Sequence, residues 1–473
     1  MPGHDGEAMV PLADVQRLAL AGAQSLPPVP MALDDALGCV LAADVLACED
    51  VPPFANSAMD GYAVRAVDTA RAPVELDVIG SVGAGAVSVA GIGPGEAIQI
   101  MTGAPIPAGA DGIAIVERTE AIAAPDAGAG DAALPRVRIL DVISRREHVR
   151  PAGSDLAAGA VAVAAGTLLP AHIGVLASVG AGVVTVHPRP RVGVMTTGDE
   201  LVELAPDGSA RPLAPGQIRD SNRHAMLATL RRDGFAPIDL GVIGDTEQAV
   251  TAGLTRAIST CDAVLTTGGV SKGAFDYVKV VLARLAAAAA SVPGVVAHEL
   301  SVAIRPAKPL VIAWLPAGAD PVGDQKPSGS RGASSEDGIL AGEHAEAASR
   351  RLVPVFGLPG NPVSSLVSYQ AIALPVLQVL AGHAPAPPPT FPAVAREDMR
   401  RRPDGKTHLL RVDVSWQADG RLGARLAGGQ MSHQLTGMAA ANALAIIADG
   451  EGLAAGEMLE VIPFGPILSE RPS

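Results

Sequence analysis

Two stretches, Arg191-Val192-Gly193-Val194-Met195-Thr196-Thr197-Gly198-Asp199-Glu200 and Ala263-Val264-Leu265-Thr266-Thr267-Gly268-Gly269-Val270-Ser271, share one pattern. Each is a short apolar run that stops at a turn of glycine and polar residues. A third run, Val353–Phe356, stops the same way at Gly357-Leu358-Pro359-Gly360-Asn361-Pro362-Val363-Ser364. Short apolar runs bounded by turns read as buried strands. Between the first two lie a helical pattern around His224–Arg232 and a strand pattern at Ile238–Val242. This alternation predicts a parallel-sheet α/β domain over 189–380. Ligands of such sheets bind beyond the carboxyl ends of the strands, where these polar turns stand.

Outward from that centre the pattern changes. Leu12, Val15, Leu18 and Ala19 share a helical face, so the chain is expected to open with an amphipathic helix. Val74–Ile79, Ala97–Met101, Gly112–Val116 and Val137–Val142 read as strands of a small β domain over 51–155. Leu156 to Pro188 contains no Asp, Glu, Lys or Arg and is long enough to span a bilayer. Six punctuating residues (Gly159, Gly166, Pro170, Gly174, Gly180 and Gly182) favour a strand, a buried helix and a second strand at Val183–Val186 instead. Pro316 to Ser349 is rich in Ala, Gly, Ser and acidic residues and reads as a flexible, disordered insertion, 316–349, in a hairpin loop. After the Pro-rich linker Ala384–Pro389, the runs Leu409–Trp416 and Leu422–Leu426 flank Asp419-Gly420, a hairpin signal. A C-terminal β domain is therefore expected over 381–473.

Composition excludes several function classes. The 473 residues carry 35 Lys+Arg against 49 Asp+Glu, a net charge of −14, and no long basic run. That opposes nucleic-acid binding, whose affinity comes largely from phosphate neutralisation. The hydrophobic fraction of 48% supplies material for several cores. Cys39, Cys48 and Cys261 form no CxxC and cannot all pair, which fits a reducing cytoplasm better than a disulfide or zinc scaffold. Met1 to Met9 lacks the features of a signal peptide, and no membrane association is expected.

The polar turns carry the candidate chemistry. Asn56-Ser57-Ala58-Met59-Asp60-Gly61-Tyr62-Ala63 places Asp60 on a Gly-flanked loop, and Ile100-Met101-Thr102-Gly103-Ala104-Pro105 ends a strand. Each alone reads more readily as an ordinary turn than as a site. The turns at Gly198 and at Gly268-Gly269 permit close backbone approach, and their N–H groups can cradle an anion. Asp245 and Asp276 stand on the same expected edge. Pro362 opens a helix whose N-terminus, with Ser364, suits an anion. The chain has only eleven aromatic residues, two Trp, three Tyr and six Phe. Phe54 and Tyr62 bracket Asp60, and Phe275 and Tyr277 bracket Asp276, a clustering expected of cleft walls.

Taken together, the segments NSAMDGYA, IMTGAP, TTGDEL, TTGGVS with its following Asp, RPAKP and GLPGNPVS occur in the order seen in the molybdopterin molybdenumtransferase family. The chain resembles this family, MoeA-type in bacteria and the E domain of gephyrin in animals, from about Val10 to Phe464. The resemblance implies a four-domain homodimer. Its parts are a discontinuous helical dimerisation region over 8–50 and 156–188, a small β domain, a molybdopterin-binding α/β domain and a C-terminal β-barrel-like domain. It implies that each site combines the Asp60 loop of one subunit with the α/β domain of the other. It also implies the reaction: adenylylated molybdopterin is hydrolysed, molybdate enters the dithiolene, and AMP is released, with Mg²⁺ assisting. By motif match, Asp60, Thr102, Glu200, Asp245 and Asp276 take catalytic positions, and Asp60, Asp245 and Asp276 are the implied Mg²⁺ ligands. Ser57, Asp155, Thr197, Gly198, Gly268, Gly269, Ser271, Pro306, Pro309, Gly360 and Asn361 take substrate-binding positions. Lys308, Ser364, Arg411 and Ser432 match the region implied to hold molybdate. The implied partners include the molybdopterin adenylyltransferase and recipient molybdoenzymes.

Carboxylates suit a hard cation that bridges phosphate oxygens, and Gly-rich backbone with Arg and Lys suits both anionic substrates. The chain departs from the family pattern at Arg305 and Ala307, where Lys or Gly is commoner, at Lys272, and in the insertion. Two alternatives stand beside this reading: the adenylyltransferase of the preceding step, similar only in the central α/β region, and a non-catalytic scaffold of the gephyrin type.

Overall fold

The computed structural model describes residues 8–122, 134–169, 172–205, 207, 209, 212–270, 276–318 and 351–469. The chain divides into two compact units, Met1–Val29 with His187–Ser473, and Pro30–Val186.

The larger unit is built on a six-stranded sheet in the order Ala236–Ile243, Arg191–Thr197, Ala263–Thr267, Leu352–Leu358, Pro309–Pro316, Val296–Ser301. The first four strands are parallel; Pro309–Pro316 runs antiparallel to both its neighbours. Successive residues on a strand face opposite sides, and here both sides are covered. Val194, Leu265 and Phe356 point into one core with helix Asn222–Arg232 and the segment Val363–Leu380. Met195, Val264 and Val355 point into another with helices Glu247–Thr260 and Tyr277–Ala288. This two-sided burial is why the strands read as unbroken apolar runs rather than as alternation. Full burial of a side chain such as Phe356 or Leu265 contributes about 2 kcal/mol.

Helix Pro362–Leu380 is the one described helix long and apolar enough to cross a bilayer, and it is 94% buried within the protein. A π-helical turn at Tyr369–Ala373 interrupts it. The uncharged stretch that begins at Leu156 forms strand Val161–Val163, the six-residue helix Ile173–Ser178 and strand Val183–His187, the order expected. The helix is not buried as a whole: Leu176 is enclosed and Ile173 half-buried while Val175 is exposed, because fewer than two turns can turn only one side to the core.

Helix Leu12–Ala21 is present as expected, but it belongs to the larger unit and not with residues 30–50. Val15 and Ala19 pack into the core that contains Trp314 and Leu377. Gln16 Nε2 donates to the Ala371 carbonyl at 2.9 Å. Val10 N–H donates to Ser301 O and Ala303 N–H to Val10 O, both at 2.8 Å, which ties the chain start to the sheet edge.

Beyond the linker, strands Thr407–Trp416, Leu422–Leu426, Phe391–Ala395, Met458–Pro463 and Ala443–Ile447 pair in sequence. The last pairs back with the first, closing a five-stranded barrel-like ring. The hairpin falls where Asp419-Gly420 signalled it, with Trp416 opposite Leu422 and Gly420 at φ +78°. The smaller unit carries an antiparallel-rich sheet in the order Gly112–Ile115, Gly61–Val64, Glu96–Ile100, Val74–Val82, Arg136–Ile139, Thr119–Ile122.

Most of the insertion lies outside the described residues, but its roots do not. Pro316 pairs with Leu352, and Ala317 N–H donates to the Arg351 carbonyl at 2.8 Å, so the hairpin ends are already joined. These roots sit at the amino end of strand Leu352–Leu358, opposite the end that carries Gly360. Deleting Gly318–Ala348 is therefore expected to leave the melting temperature within about 2 °C of the parent and to retain activity. A scanning calorimetry shift of several degrees would show that the insertion contributes to the fold.

Candidate functional site

Three parallel strands of the larger unit end side by side, and their turns meet. Gly268 N–H donates to Leu358 O at 3.1 Å. A Cβ placed on Gly268, at φ +92°, would lie 2.7 Å from the Thr197 carbonyl oxygen. A Cβ on Gly360 would reach the Gly268 Cα at 3.7 Å. Only glycine at 268 allows this approach, since an added carbon would have to displace backbone. The turns open into a cleft of about 500 Å³ lined by Thr197, Gly198, Glu200, Asp245, Gly268, Gly269, Asp276, Gly360 and Asn361, all expected from the sequence.

The cleft is acidic on one side. Asp199 and Asp245 are locked reciprocally: Asp199 N–H donates to Asp245 Oδ2 at 3.3 Å, and Asp245 N–H to Asp199 Oδ1 at 3.1 Å. Partial burial pushes the Asp245 carboxyl above its ordinary range, and the charges of Asp199, Glu200 and Asp276 push the same way. Glu200 folds back over Gly198, where a Cβ would lie 2.6 Å from its carboxylate. Asp276 occupies the N-cap position of helix Tyr277–Ala288 but makes no capping hydrogen bond with its side chain.

The other side is neutral to basic. Helix Pro362–Leu380 starts at the cleft with Pro362 at its first turn, as expected, and Ser364 is buried in that turn. Asn361 Nδ2 donates to Ser432 Oγ at 3.2 Å, and Val363 N–H to Ser432 O at 3.3 Å, which bring the Gly428–Gln434 loop to the rim. Arg411 is fully buried beneath that loop. Its Nη2 donates to the carbonyls of Gly429 and Met431, while Nε and Nη1 find no hydrogen-bond partner among the described residues. Burial lowers its pKa, as expected of a guanidinium with no carboxylate beside it.

Pro306, Lys308 and Pro309 do not line the cleft directly, but strand Pro309–Pro316 pairs antiparallel with Leu352–Leu358, Val311 opposite Gly357, so their turn stands at the same sheet edge as Gly360. The turn follows strand Ile304–Arg305, which pairs with Thr407 and His408 of the barrel. There Ala307 adopts φ +81°, a left-handed conformation that costs a residue with a Cβ roughly 1 kcal/mol. This is the physical content of the departure from Gly at that position. Ser271 and Lys272 lie outside the described residues, as does Phe275.

Asp60, Ser57, Thr102 and Asp155 belong to the smaller unit. Thr102 donates to Asp60 Oδ1 through both its N–H and its hydroxyl, each at 2.7 Å. Those bonds, the backbone one first, hold the Asp60 carboxyl below its ordinary range. Ser57 is buried, and Asp155 N–H donates to Val51 O.

Two of the four aromatic residues expected as cleft walls serve the cores instead. Tyr62 is buried in the smaller unit's core, and Tyr277 packs on the core beneath helix Tyr277–Ala288; Phe54 is exposed. In an aromatic-poor chain the two tyrosines fill volume. Sequence reasoning also passed over Asp199, Asp220, Asn222 and His433, which share the cleft or its wall. Asp220-Ser221-Asn222 directly before a helix is a capping signature that could have marked them.

No group of three or more His, Cys, Asp or Glu side chains among the described residues forms a ready metal cage. Asp245 and Asp276 nonetheless fit Mg²⁺, which is held by one or two carboxylates together with substrate phosphates rather than by an all-protein cage. The raised pKa of Asp245 gives a test independent of catalysis. Between the unfolded and the folded pKa only the unfolded chain is ionised, and above the folded pKa the same charge is costlier in the folded state, so the stability present below the unfolded pKa is lost as pH rises through the folded one. Asp245→Asn should therefore melt at a higher temperature than the parent at pH 7. The difference should vanish below about pH 4, where the unfolded carboxyl is protonated. Equal melting temperatures at neutral pH would contradict it.

Comparison with known proteins agrees with this geometry. Residues 10–180 match the MoeA N-terminal region (domain I and II), 193–379 a probable molybdopterin binding domain, and 392–464 the MoeA C-terminal region (domain IV). A molybdopterin molybdenumtransferase of Nostoc sp. is 34% identical over 420 residues, 88% of this chain and 83% of that protein. Molybdopterin molybdenumtransferase 2 of Mycobacterium tuberculosis is 33% identical over 452 residues, 94% of this chain and 97% of its own. A molybdopterin biosynthesis MoeA protein from a Pyrococcus species superimposes with a TM-score of 0.70 at 26% identity, covering 97% of this chain and 100% of that one. Three matched regions in order, over most of the length, leave one conclusion: the chain belongs to the MoeA family.

Proposed function

We propose that this chain is a molybdopterin molybdenumtransferase, which inserts molybdate into adenylylated molybdopterin and releases AMP. The observation that carries the reading is the cleft itself, where two glycine turns at adjacent strand ends face Glu200, Asp245 and Asp276. Its backbone suits phosphate, and its carboxylates suit the cation that accompanies phosphate.

In this reading the Gly198 and Gly268-Gly269 turns receive the phosphate groups through backbone N–H groups. Asp245 and Asp276 would hold Mg²⁺, which when bound neutralises phosphate charge and lowers the pKa of water. Asp199 fixes Asp245 by the reciprocal bonds described above. In the homodimer that the family resemblance implies, the Asp60 loop of the second subunit would supply a further carboxylate, which Thr102 keeps ionised. Arg411, buried with two unpartnered nitrogens, favours a small oxyanion nearby, and Lys308, Ser364 and Ser432 complete the set proposed for molybdate. Positioning and electrostatics dominate such chemistry, and no covalent intermediate on Ser or Cys is needed. A homodimer, a cytoplasmic location, and exchange with the adenylyltransferase and recipient molybdoenzymes complete the proposal. The adenylyltransferase alternative leaves the matched N- and C-terminal regions without a role.

Asp276→Asn should fold normally but lose Mg²⁺-dependent AMP release from adenylylated molybdopterin in the presence of molybdate. Turnover like the parent's at limiting Mg²⁺ would remove Asp276 from the site. Lys308→Ala and Ser364→Ala should raise the molybdate concentration for half-maximal activity at least about tenfold, because a small oxyanion rests on a few charge-assisted contacts. Affinity for the adenylylated pterin should change far less. An unchanged molybdate requirement in both variants would reject the oxyanion assignment.

A further inference from the structure

Behind the cleft lies a buried ion cluster with no part in the chemistry above. Arg223 is 5% exposed and Asp220 2%. Arg223 Nε donates to Asp220 Oδ2 at 2.8 Å, Nη1 to both oxygens of Asp239 at 2.7 Å, and Nη2 to Glu203 Oε1 at 2.9 Å. Asp220 Oδ2 also accepts the Thr196 hydroxyl at 2.9 Å, and its Oδ1 the Arg223 N–H at 3.1 Å. Buried ion pairs are weak sources of stability, since desolvation offsets attraction, and they are better understood as fixing one arrangement among several.

What they fix here follows from the chain path. The segment carrying Gly198, Asp199 and Glu200 begins at Thr196, bonded to Asp220, and ends at Glu203, bonded to Arg223. Both anchors meet in a single guanidinium–carboxylate pair. Between them the segment is stitched by Leu201 N–H to Gly198 O at 3.1 Å, Ile218 N–H to Glu200 O at 2.9 Å and Asp220 N–H to Val202 O at 3.1 Å, the last two part of a short parallel pairing of Leu201–Val202 with Ile218–Arg219 that leads directly into Asp220. Asp199 in turn grips Asp245. We infer that Arg223 is a positioning residue: with Asp220 and Glu203 it holds the 197–203 loop so that Glu200 and the Asp199–Asp245 pair face the cleft. The catalytic consequence rests on the proposed reading of that cleft; the mechanical one does not.

Two variants test it. Glu203→Gln weakens the cluster at its exposed end, where the side chain is 58% accessible, so folding should survive. Arg223→Lys keeps the charge and loses the planar fork. Amide exchange in the substrate-free protein should quicken about tenfold at Asp199 to Val202 in both variants, with strands 191–197 and 263–267 unchanged. If those loop amides keep the parent's protection, the positioning role is refuted whatever the enzyme's substrate. In AMP release, kcat should fall about tenfold while the KM for adenylylated molybdopterin moves little, as expected of misplaced groups rather than lost contacts. Combining Glu203→Gln with Glu200→Gln should cost kcat less than the two single losses multiplied, because the share of the Glu203 effect that runs through Glu200 is already gone and only the share through the Asp199–Asp245 pair remains. Full additivity of the two would show that Glu203 acts through some other route. Should the parent release no AMP, the functional reading falls, and the exchange experiment still decides the inference.

Discussion

Burial of both faces of the four parallel strands is the constraint on which the rest depends. It forces strands 191–197, 263–267 and 352–358 into immediate adjacency, with Val194, Leu265 and Phe356 on one side and Met195, Val264 and Val355 on the other. Once the strands are in register, their last residues arrive at one edge together. Nothing larger than glycine fits at 268, because the Thr197 carbonyl already occupies the space. The close-packed glycine turns are thus a consequence of sheet packing and not an independent device.

Acidic groups brought to such an edge repel one another, and the structure shows the result. Asp245 is pushed up in pKa by its burial and by three neighbouring carboxylates. A site in this state favours a cation and disfavours its own empty form, the ordinary relation between function and stability at active sites. Arg411 has the opposite difficulty on the far side, a buried positive charge with unsatisfied donors. The two imbalances are complementary in sign, as a site for a cation, phosphates and an oxyanion would require.

Much of this was legible in the sequence. The apolar runs, the glycine turns after them, the Asp419-Gly420 hairpin and Pro362 at a helix start all fell where local pattern put them, since each reports a short-range steric or hydrogen-bonding demand. The motifs, read in order, also led to the family. Where local pattern failed, long-range packing was the reason. Helix Leu12–Ala21 joined the core around Trp314, and Tyr62 and Tyr277 served as core volume instead of cleft lining.

The sequence by itself determined the parallel α/β core, the polar strand ends, the family and the carboxylates that could act, because these depend on period, turn chemistry and residue identity. Only the tertiary structure decided which of them meet. It joined Asp199 to Asp245, set Asn361 against Ser432, and drew Thr196 and Glu203 to one buried pair. Those outcomes come from contacts between residues 20 to 71 positions apart, formed when the sheet closes its two cores, and no local pattern encodes such pairings.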